Sequence, residues 1–238
     1  MKNALITGAS RGIGRAIAER FAREGYGLYL VCERNMEALE AFAKRLYEEY
    51  GTVCRTAAFD IGDSKSVNTF CEQIEDVDVL VNNAGVSHIG LLQDMSDVEW
   101  QRVISSDLTG CFNMCRAVIP ILLKKKQGSI INISSVWGSV GASMEVAYSA
   151  AKGGMDALTK GLAKELAPSG IAVNAIACGL IDTDMNKCFD EEELTYITEE
   201  IPAGRMGRPE EIAEIVYGVA NFPAYMTGQI IKADGGWK

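Results

Sequence analysis

The sequence is short of the residues that build metal centres and disulfide frameworks. It contains a single histidine, His88, and its seven cysteines include no Cys-x-x-Cys pair, a spacing on which many zinc sites and redox-active disulfides rely. An odd number of cysteines cannot all be paired, so we expect reduced thiols, as in a cytoplasmic protein. These scarcities predict neither a metal site nor a disulfide-stapled fold.

Long apolar runs and an excess of positive charge are also missing. No apolar stretch approaches the roughly 20 residues of a membrane-spanning helix, and residues 1–6 do not form a charged-then-apolar leader. The formal net charge is −9 over 238 residues, whereas nucleic acids and anionic membranes bind to a concentrated basic face. We therefore expect a soluble protein whose ligands are small molecules, with neither nucleic acid nor membrane as a partner.

The sequence does contain a regular alternation of strand and helix patterns. With 48% hydrophobic residues, the chain can bury the core of one α/β domain over residues 1–238. Strand patterns, several apolar throughout like parallel strands buried on both faces, lie at Ala4–Ile6, Leu28–Cys32, Val53–Phe59, Val77–Val81, Ser129–Ile133, Ile171–Ala177 and Gln229–Ala233. Helical periodicity lies at Gly12–Arg23, Met36–Tyr50, Ser64–Ile74, Val98–Leu123, Ala147–Leu166 and Pro209–Asn221. This order predicts a single-domain, Rossmann-type doubly wound parallel sheet of about seven strands flanked by helices.

One segment, near residues 182–207, departs from this alternation. It contains the acidic cluster Asp190–Glu193 and follows a predicted strand. Ligands of open α/β sheets bind beyond the carboxyl ends of the strands, so an insertion there can cover the substrate. A solvated surface helix is the alternative for the charges themselves.

A glycine-rich turn follows the first predicted strand. Gly8, Gly12 and Gly14 fall where that strand passes into an amphipathic helix. Glycines at such a junction allow a tight turn, a close approach to a pyrophosphate and packing of the helix on the sheet, while the helix N-terminus offers unpaired N–H groups. The turn therefore predicts a dinucleotide site. The other loop residues assigned to it are Ser10, Arg11 and Ile13.

The end of the second predicted strand carries charges of both signs. About 20 residues beyond the glycine turn, this position contacts the adenosine ribose, and here it reads Glu33-Arg34. A carboxylate repels a 2′-phosphate and favours NAD, whereas Arg34 together with Arg11 attracts that phosphate and favours NADP. We predict NAD(P) as the cofactor, with a slight preference for NAD that pairing of Arg34 with Glu33 would remove.

Tyr148 and Lys152 lie four residues apart on a predicted helix and therefore share one face. A free phenol ionises at about pH 10, and a nearby ammonium favours the phenolate and lowers this pKa. The pair can then exchange a proton with a substrate. The spacing alone is equally typical of an ordinary helix surface.

Four motifs occur in order along the chain. They are Thr-Gly-x-x-x-Gly-x-Gly at 7–14, Asn-Asn-Ala-Gly at 82–85, Ser135, and Tyr-x-x-x-Lys at 148–152. Together with Asn-Ala-Ile at 174–176 and Asp-Gly-Gly at 234–236, they resemble the classical short-chain dehydrogenase/reductase family. This resemblance spans nearly the whole chain and implies a nicotinamide-dependent enzyme that interconverts a ketone and a secondary alcohol.

The resemblance also implies roles for individual residues. Tyr148 would exchange a proton with the substrate oxygen, Lys152 would lower the pKa of Tyr148 and bind the nicotinamide ribose, and Ser135 would donate a hydrogen bond to the reacting oxygen. Asp60 and Ile61 would contact the adenine. The remaining implied cofactor contacts are Asn82, Ala84 and Gly85 on the adenosine side and Gly179, Ile181 and Thr183 around the nicotinamide.

Two positions depart from the family pattern. Asp107 stands where family members usually carry an asparagine that helps to hold a water in the proton relay from the lysine. An aspartate can accept hydrogen bonds from that water, but it adds a charge near Lys152. Cys178 replaces a proline before Gly179, which frees a backbone N–H; its thiol is expected to be a small core side chain or to line the site.

Residues 201–213 resemble the 3-oxoacyl-acyl-carrier-protein reductases within that family. This implies a β-keto thioester on an acidic carrier, for which Lys124–Lys126 would supply one docking cation, although Ser169 stands where a second is expected. Sugar, steroid and other alcohol dehydrogenases share the scaffold and stay open, as does a nicotinamide-binding regulatory protein with weak turnover. The long helices imply a homotetramer or a homodimer.

Residues next to the catalytic motifs are candidates for the substrate pocket. Trp137, Met144 and Val146 flank Ser135 and Tyr148 and could form its walls, with ordinary packing as the alternative. His88 follows the Asn-Asn-Ala-Gly motif and could reach the rim, although a solvated loop histidine is the simpler interpretation.

Overall fold

The computed structural model describes residues 1–187 and 189–238, so the thiol expected at Cys188 lies outside the described residues. Seven strands form one sheet in the order β3-β2-β1-β4-β5-β6-β7, and every pairing in it is parallel. The strands are β1 (Asn3–Thr7), β2 (Gly27–Cys32), β3 (Cys54–Ala58), β4 (Val79–Asn82), β5 (Gly128–Ser135), β6 (Ile171–Cys178) and β7 (Ile230–Ala233). The predicted doubly wound parallel sheet is confirmed.

The strand order reverses direction once, between β1 and β4. From β1 the chain builds outward through β2 and β3, and then returns to place β4 on the other side of β1. A crevice opens at the carboxyl ends of two strands whose connections leave in opposite directions, and this is where open α/β sheets bind ligands. The glycine turn after β1 and the Asn-Asn-Ala-Gly motif after β4 therefore meet at one edge.

Helices cover both faces of the sheet. One face packs against the buried side chains of Phe21, Phe42 and Val216, and the other against those of Met114 and Met155. The helices are α1 (Gly12–Arg23), α2 (Met36–Tyr50), α3 (Ser64–Cys71), α4 (Asp97–Ile104), α5 (Gly110–Lys125), α6 (Trp137–Val140), α7 (Val146–Leu166), α8 (Glu191–Glu199) and α9 (Pro209–Ala220). No helix among the described residues combines the length and the apolarity needed to cross a bilayer.

Local sequence explains where several helices begin and end. The side chain of Asn35 accepts a hydrogen bond from the Ala38 N–H and caps α2, which ends at Gly51 in the left-handed conformation, with φ of 68°. Ser96 and Glu99 form a reciprocal capping box at the start of α4. These signals account for the good agreement between predicted and observed helix limits.

The predicted continuous helix Val98–Leu123 is wrong in one turn. Between α4 and α5 the chain forms a π-helical turn over Ser105–Thr109. This geometry is rare in proteins, and where it occurs it often lies at a functional site. The wider turn carries Asp107 inward, where it is fully buried. Gly110, which starts α5, packs so closely against the Ile61 side chain that a β-carbon would collide with it.

The segment 182–207 leaves the sheet and returns to it at one point. The Asp182 N–H donates to the Gly207 carbonyl over 2.9 Å, and Ile181 and Gly207 pair as an isolated bridge. Between these anchors the segment forms a short 3₁₀ turn over Asp184–Asn186 and then α8. Its two ends are thus fixed beside the carboxyl end of β6.

Candidate active site

A cleft of about 530 Å³ runs along the carboxyl edge of the sheet. Most of the predicted site residues line it, namely Gly8, Ser10, Arg11, Gly12, Ile13, Glu33, Arg34, Asp60, Ile61, Ala84, Gly85, Ser135, Tyr148, Lys152, Gly179, Ile181 and Thr183. A separate surface hollow of about 660 Å³ between β3 and α3 contains none of the catalytic motif residues. The cleft is therefore the candidate active site.

Three predicted residues lie behind the cleft wall. Asn82 is buried and donates a hydrogen bond over 2.9 Å to the Asn132 side chain, so its side chain packs inside the sheet, and its adenosine contact stays a prediction. Gly14 and Asp107 are also outside the cleft lining. Gly14 acts through the close approach of α1 to the glycine turn, and Asp107 through Lys152.

The glycine turn is shaped to receive a pyrophosphate. Gly8 and Gly12 have φ of 66° and 54°, values that residues with a β-carbon rarely adopt. Arg11, at the N-cap of α1, makes no side-chain cap hydrogen bond, and the first turn of this helix holds no acidic residue. The first N–H groups of α1 thus have no capping side chain and are available to an anion. These residues fit a dinucleotide cofactor.

Asn83 and Thr7 hold this turn in place, and the sequence did not single them out for this role. The Asn83 side chain donates to the carbonyl groups of Thr7 and Gly8 over 2.9 and 3.2 Å. The Thr7 hydroxyl accepts from the N–H groups of Asn83 and Ala84 over 3.0 and 3.1 Å. The Asn-Asn-Ala-Gly motif therefore fastens β4 to the cofactor loop through its second asparagine.

We expect Gly14→Ala to weaken cofactor binding. A β-carbon at Gly14 would collide with the Gly8 carbonyl and the Asn83 side chain, and overpacking of this kind costs about 1–3 kcal/mol. If the glycine turn moves to relieve this collision, the Kd for NAD(P) should rise by about tenfold or more. Fluorescence titration measures the Kd. Gly218→Ala, where a β-carbon meets nothing within 4 Å, should leave it unchanged; an unaltered Kd in both variants would contradict the role of Gly14.

The charges at the end of β2 pair with each other. The Arg34 guanidinium lies 2.9 Å from the Glu33 carboxylate, and the two side chains are 74% and 48% exposed. The carboxylate therefore does not face the ribose as an uncompensated charge. This pairing removes the physical basis for the expected preference for NAD.

Ser135, Tyr148 and Lys152 meet at the carboxyl end of β5. Ser135 is the last residue of that strand, and its hydroxyl accepts from the Trp137 N–H over 3.2 Å. The Lys152 ammonium donates to the Ile133 carbonyl over 2.9 Å and lies 5.4 Å from the centre of the Tyr148 ring. The strand and α7 thus present the three groups to one cleft.

Asp107 forms a buried ion pair with Lys152. Its Oδ2 lies 3.3 Å from the Lys152 Nζ, and its Oδ1 accepts from the Val86 N–H over 2.7 Å. A β-carbon on Gly85 would come within 2.6 Å of Oδ2, so this glycine makes room for the carboxylate. In place of the expected contact through water, the aspartate reaches the lysine directly.

Burial governs the ionisation of this group. Burial raises the pKa of Tyr148 to about 12, with Lys152 acting in the opposite direction and Asp107, Cys178 and Glu145 adding to the rise. Burial alone would lower the pKa of Lys152, but the charges of Tyr148 and Asp107 outweigh it and raise this pKa. Lys152 therefore does lower the Tyr148 pKa, as predicted, but burial outweighs this contribution and the pKa is raised.

The thiol of Cys178 lines the cleft but is unreactive in character. The residue is buried, and burial raises the pKa of its thiol to about 12. Because the thiolate is the nucleophilic form of cysteine, this side chain acts as a small apolar wall. The six described cysteines are all free.

Glu145 is a cleft residue that the sequence did not reveal. Its carboxylate accepts a hydrogen bond from the Ser87 hydroxyl over 2.9 Å, and burial raises its pKa. Of the predicted walls, Trp137 lines the cleft, whereas Met144 and Val146 are exposed and are not among its lining residues; their part in the substrate pocket stays a prediction. The only signal was position: Glu145 precedes Tyr148 by three residues, almost one helical turn.

His88 is not among the cleft residues. Its Nδ1 lies 3.8 Å from the Glu99 carboxylate on α4. The simpler expectation for this histidine, a loop residue outside the chemistry, is the one that fits.

The segment 182–207 forms one wall of the cleft. Met185, Phe189 and Ile197 line it from that segment, and Trp237 joins them from the C-terminus. The Trp237 ring packs edge-on against Trp137 with centroids 4.9 Å apart. The predicted segment over the substrate side therefore contributes these apolar side chains together with the polar residues Thr183, Asp184 and Asn186.

The fold and the site define an oxidoreductase of the NAD(P)-dependent type that acts on CH–OH groups. Residues 2–194 match the short chain dehydrogenase family, and the chain belongs to it.

Similar proteins cover almost the whole chain. One is described as the uncharacterized oxidoreductase YmfI of Bacillus subtilis, 40% identical over 99% of this chain and 98% of that protein. Another is the 3-oxoacyl-[acyl-carrier-protein] reductase FabG of Chlamydia trachomatis, 40% identical over 99% of this chain and 96% of that protein.

Solved structures agree in fold and differ in their described activities. A proposed gluconate dehydrogenase from Agrobacterium tumefaciens superposes with a TM-score of 0.93 at 32% identity, covering 99% of this chain and 95% of the other. A 3-oxoacyl-[acyl-carrier protein] reductase from Brucella melitensis gives the same TM-score and identity, covering 99% and 90%. A proposed NAD(P)-dependent gluconate 5-dehydrogenase from Beutenbergia cavernae carries bound NADP at low occupancy and gives a TM-score of 0.92 at 30% identity, covering 99% and 96%.

Proposed function

We propose that Tyr148, Ser135 and Lys152 interconvert a ketone and a secondary alcohol in this cleft. The observation that carries the proposal is the meeting of these three side chains, at the end of β5 and on α7, in the same cleft as the glycine turn. A nicotinamide cofactor, when bound there, supplies or accepts the hydride. Tyr148 gives its phenolic proton to the carbonyl oxygen in reduction, and takes it from the hydroxyl in oxidation.

The other two groups act around that proton. Ser135 donates a hydrogen bond to the reacting oxygen, where negative charge develops during reduction. Lys152, held by the Ile133 carbonyl and Asp107, places a positive charge beside the Tyr148 ring and is the candidate donor to the nicotinamide ribose. Asp107 is a positioning residue, because it acts through Lys152.

A 3-oxoacyl thioester is the first candidate substrate. The resemblance of residues 201–213 and the similarity to FabG proteins support it, as do the apolar side chains of the segment 182–207. The lysine run gives less support. Lys125 contacts both Asp76 and Asp78 over 2.5 Å, and the run precedes the amino end of β5, whereas the cleft lies at its carboxyl end. A carrier docked on this run would therefore lie away from the cleft of the same chain.

A small hydroxylated carbonyl compound is the second candidate. Glu145 places a carboxylate in the cleft, and this observation favours a substrate with polar groups near the reacting carbon. The proposed gluconate dehydrogenases among the structural neighbours have polyhydroxylated substrates by their names.

The cofactor preference follows from Glu33 and Arg34. Because they pair, the site can accept NADP by turning Arg34 towards the 2′-phosphate. We expect Arg34→Ala to weaken NADP binding by about tenfold and to change NAD binding little, as measured by fluorescence titration of both cofactors. Equal losses for the two cofactors would show that Arg34 does not contact this phosphate.

The wider context is proposed on the same basis. Residues 1–238 form one domain, with 182–207 as the segment that covers the substrate. The exposed apolar side chains Phe112 and Leu123 on α5 support assembly into a homodimer or homotetramer. The free thiols of the described cysteines support a cytoplasmic location.

One screen tests the function and separates the candidates. Rates of reduction and oxidation are measured with NAD(H) and NADP(H) against β-keto thioesters, sugars, small hydroxyketones and steroid alcohols. Turnover of at least one ketone–alcohol pair is expected. Cofactor binding without turnover across the whole panel would instead favour a nicotinamide-binding regulatory protein.

A further inference from the structure

Glu145 is a carboxylate that no other part of the described chain neutralises. No lysine or arginine among the described residues forms an ion pair with it. It occupies the N-cap position of α7, yet its side chain makes no cap hydrogen bond. The carboxylate is therefore free of the two structural roles that usually hold an acidic residue at this place.

The carboxylate is nevertheless held in one position. The Ser87 hydroxyl, from the loop after β4, donates to its Oε2 over 2.9 Å, and Glu145 and Ser87 both line the cleft. The Trp137 side chain forms a second hydrogen bond with this carboxylate. An ionised carboxylate has about four lone-pair sites, so these two bonds leave acceptor capacity unused.

Glu145 lies close to the proposed proton donor, Tyr148. It precedes Tyr148 by three residues, and its charge adds to the rise in the Tyr148 pKa, which places the carboxylate within electrostatic range of the phenol. Trp137, whose side chain forms a hydrogen bond with Glu145, packs against Trp237, and both rings line the cleft. A substrate whose carbonyl oxygen meets Tyr148 therefore presents its neighbouring atoms to Glu145.

We infer that Glu145 selects carbonyl substrates bearing a hydrogen-bond donor, such as a hydroxyl group, close to the reacting carbon. The donor fills the unused acceptor sites, and the charge of the carboxylate strengthens the bond. A substrate with a carboxylate at the same place is repelled. This inference rests on the proposed ketone–alcohol interconversion and favours the hydroxylated class over a plain acyl chain.

Three ketones of similar size test the inference, namely butanone, its hydroxylated analogue acetoin, and acetoacetate. The measurement is kcat/KM for reduction by the full-length protein with its preferred reduced cofactor. Because a hydrogen bond to a charged group contributes about 1.5–3 kcal/mol, acetoin should exceed butanone by about tenfold or more, and acetoacetate should be the poorest substrate.

Two variants assign the preference to Glu145. Glu145→Leu should bring the ratio of kcat/KM for acetoin to kcat/KM for butanone from about tenfold or more down to about one. The ratio is the quantity compared because the charge of Glu145 also acts on Tyr148, which serves both substrates. Glu145→Gln, which keeps an acceptor and removes the charge, should retain part of the preference and improve acetoacetate. Glu165→Gln, an exposed carboxylate on the same helix that does not line the cleft, is the matched control and should behave like the unaltered protein.

The outcomes separate this inference from the proposed function. An acetoin preference that survives Glu145→Leu, or an equal loss for butanone and acetoin in that variant with unchanged thermal stability, overturns the role of Glu145 alone. Tyr148-dependent turnover of butanone would still support the proposed function. If the unaltered protein shows no preference for acetoin, the inference fails, and if it reduces no ketone of the wider panel, the proposed function fails with it.

Discussion

Tyr148→Phe should lower kcat for ketone reduction by about a hundredfold to ten-thousandfold, the usual contribution of a positioned general acid. The substitution removes one oxygen atom and keeps the ring that packs beside Lys152. Because the glycine turn, Glu33 and Asp60 lie elsewhere along the cleft, cofactor binding should be retained. The paired measurements are steady-state kcat and the Kd of the cofactor.

The Tyr148→Phe result is meaningful only with a control for the loss of a phenol. Tyr47→Phe removes a hydroxyl from an exposed tyrosine on α2, far from the cleft, and should leave both quantities unchanged. If Tyr148→Phe still turns over substrate at a rate near that of the unaltered protein, another group supplies the proton and the proposed mechanism is wrong. If cofactor binding is lost as well, the substitution has disturbed the structure of the site and has not removed the proton donor alone.

The fold was predictable because its signals are local and repeated. The buried parallel strands are apolar along their length, so β1, β2 and β6 stand out from their surroundings. The glycine turn is fixed by backbone geometry, since the positive φ at Gly8 and Gly12 restricts the residues that can stand there. Signals of this kind depend only on residues close in the sequence, so a single sequence is enough to recognise them.

The errors arose where a tertiary contact decides the outcome. The π-helical turn at Ser105–Thr109 runs directly from α4 into α5, so no break in the chain separates it from the helices on either side. Its widening brings the Asp107 carboxylate to Lys152, a residue 45 positions later in the sequence. Hydropathy along the chain carries no information about such a pairing.

The sequence also does not show which of several neighbouring residues has a given role. Asn82 and Asn83 are identical in chemistry, but the first is the last residue of β4 and points into the sheet, while the second leaves the strand and fastens the glycine turn. The same applies to Met144, Glu145 and Val146, of which only the middle residue lines the cleft. Which of two adjacent side chains faces a ligand depends on where a strand or helix begins, and element boundaries are the least certain part of a sequence-based prediction.

Asp107→Asn should move the pH dependence of the reaction towards lower pH. In the unaltered protein burial raises the Tyr148 pKa to about 12, Lys152 lowers it, and the charges of Asp107, Cys178 and Glu145 raise it. Removing the charge of Asp107 takes away one of the raising contributions, so the Tyr148 pKa falls. A fall of about one pH unit corresponds to an interaction of about 1.4 kcal/mol.

The same fall in the Tyr148 pKa affects oxidation and reduction differently. Oxidation needs ionised Tyr148, so its rate rises as the pH increases through the Tyr148 pKa, and in Asp107→Asn this rise should begin at lower pH. Reduction needs protonated Tyr148, so its rate falls above the same pKa, and the fall should also begin earlier. Rate profiles of both directions, each with its preferred cofactor, should shift together.

Asp107→Leu separates this charge effect from a structural one. It removes the acceptor for the Val86 N–H as well as the counter-charge of buried Lys152, and breaking a buried pair in this way costs about 3–5 kcal/mol of folding free energy. Asp107→Asn keeps an oxygen for Val86 and should unfold at a denaturant concentration much closer to that of the unaltered protein. A folded Asp107→Asn variant with unshifted profiles would mean that the charge of Asp107 does not tune the Tyr148 pKa, and that this charge serves the ion pair with Lys152 and the packing of the π-helical turn alone.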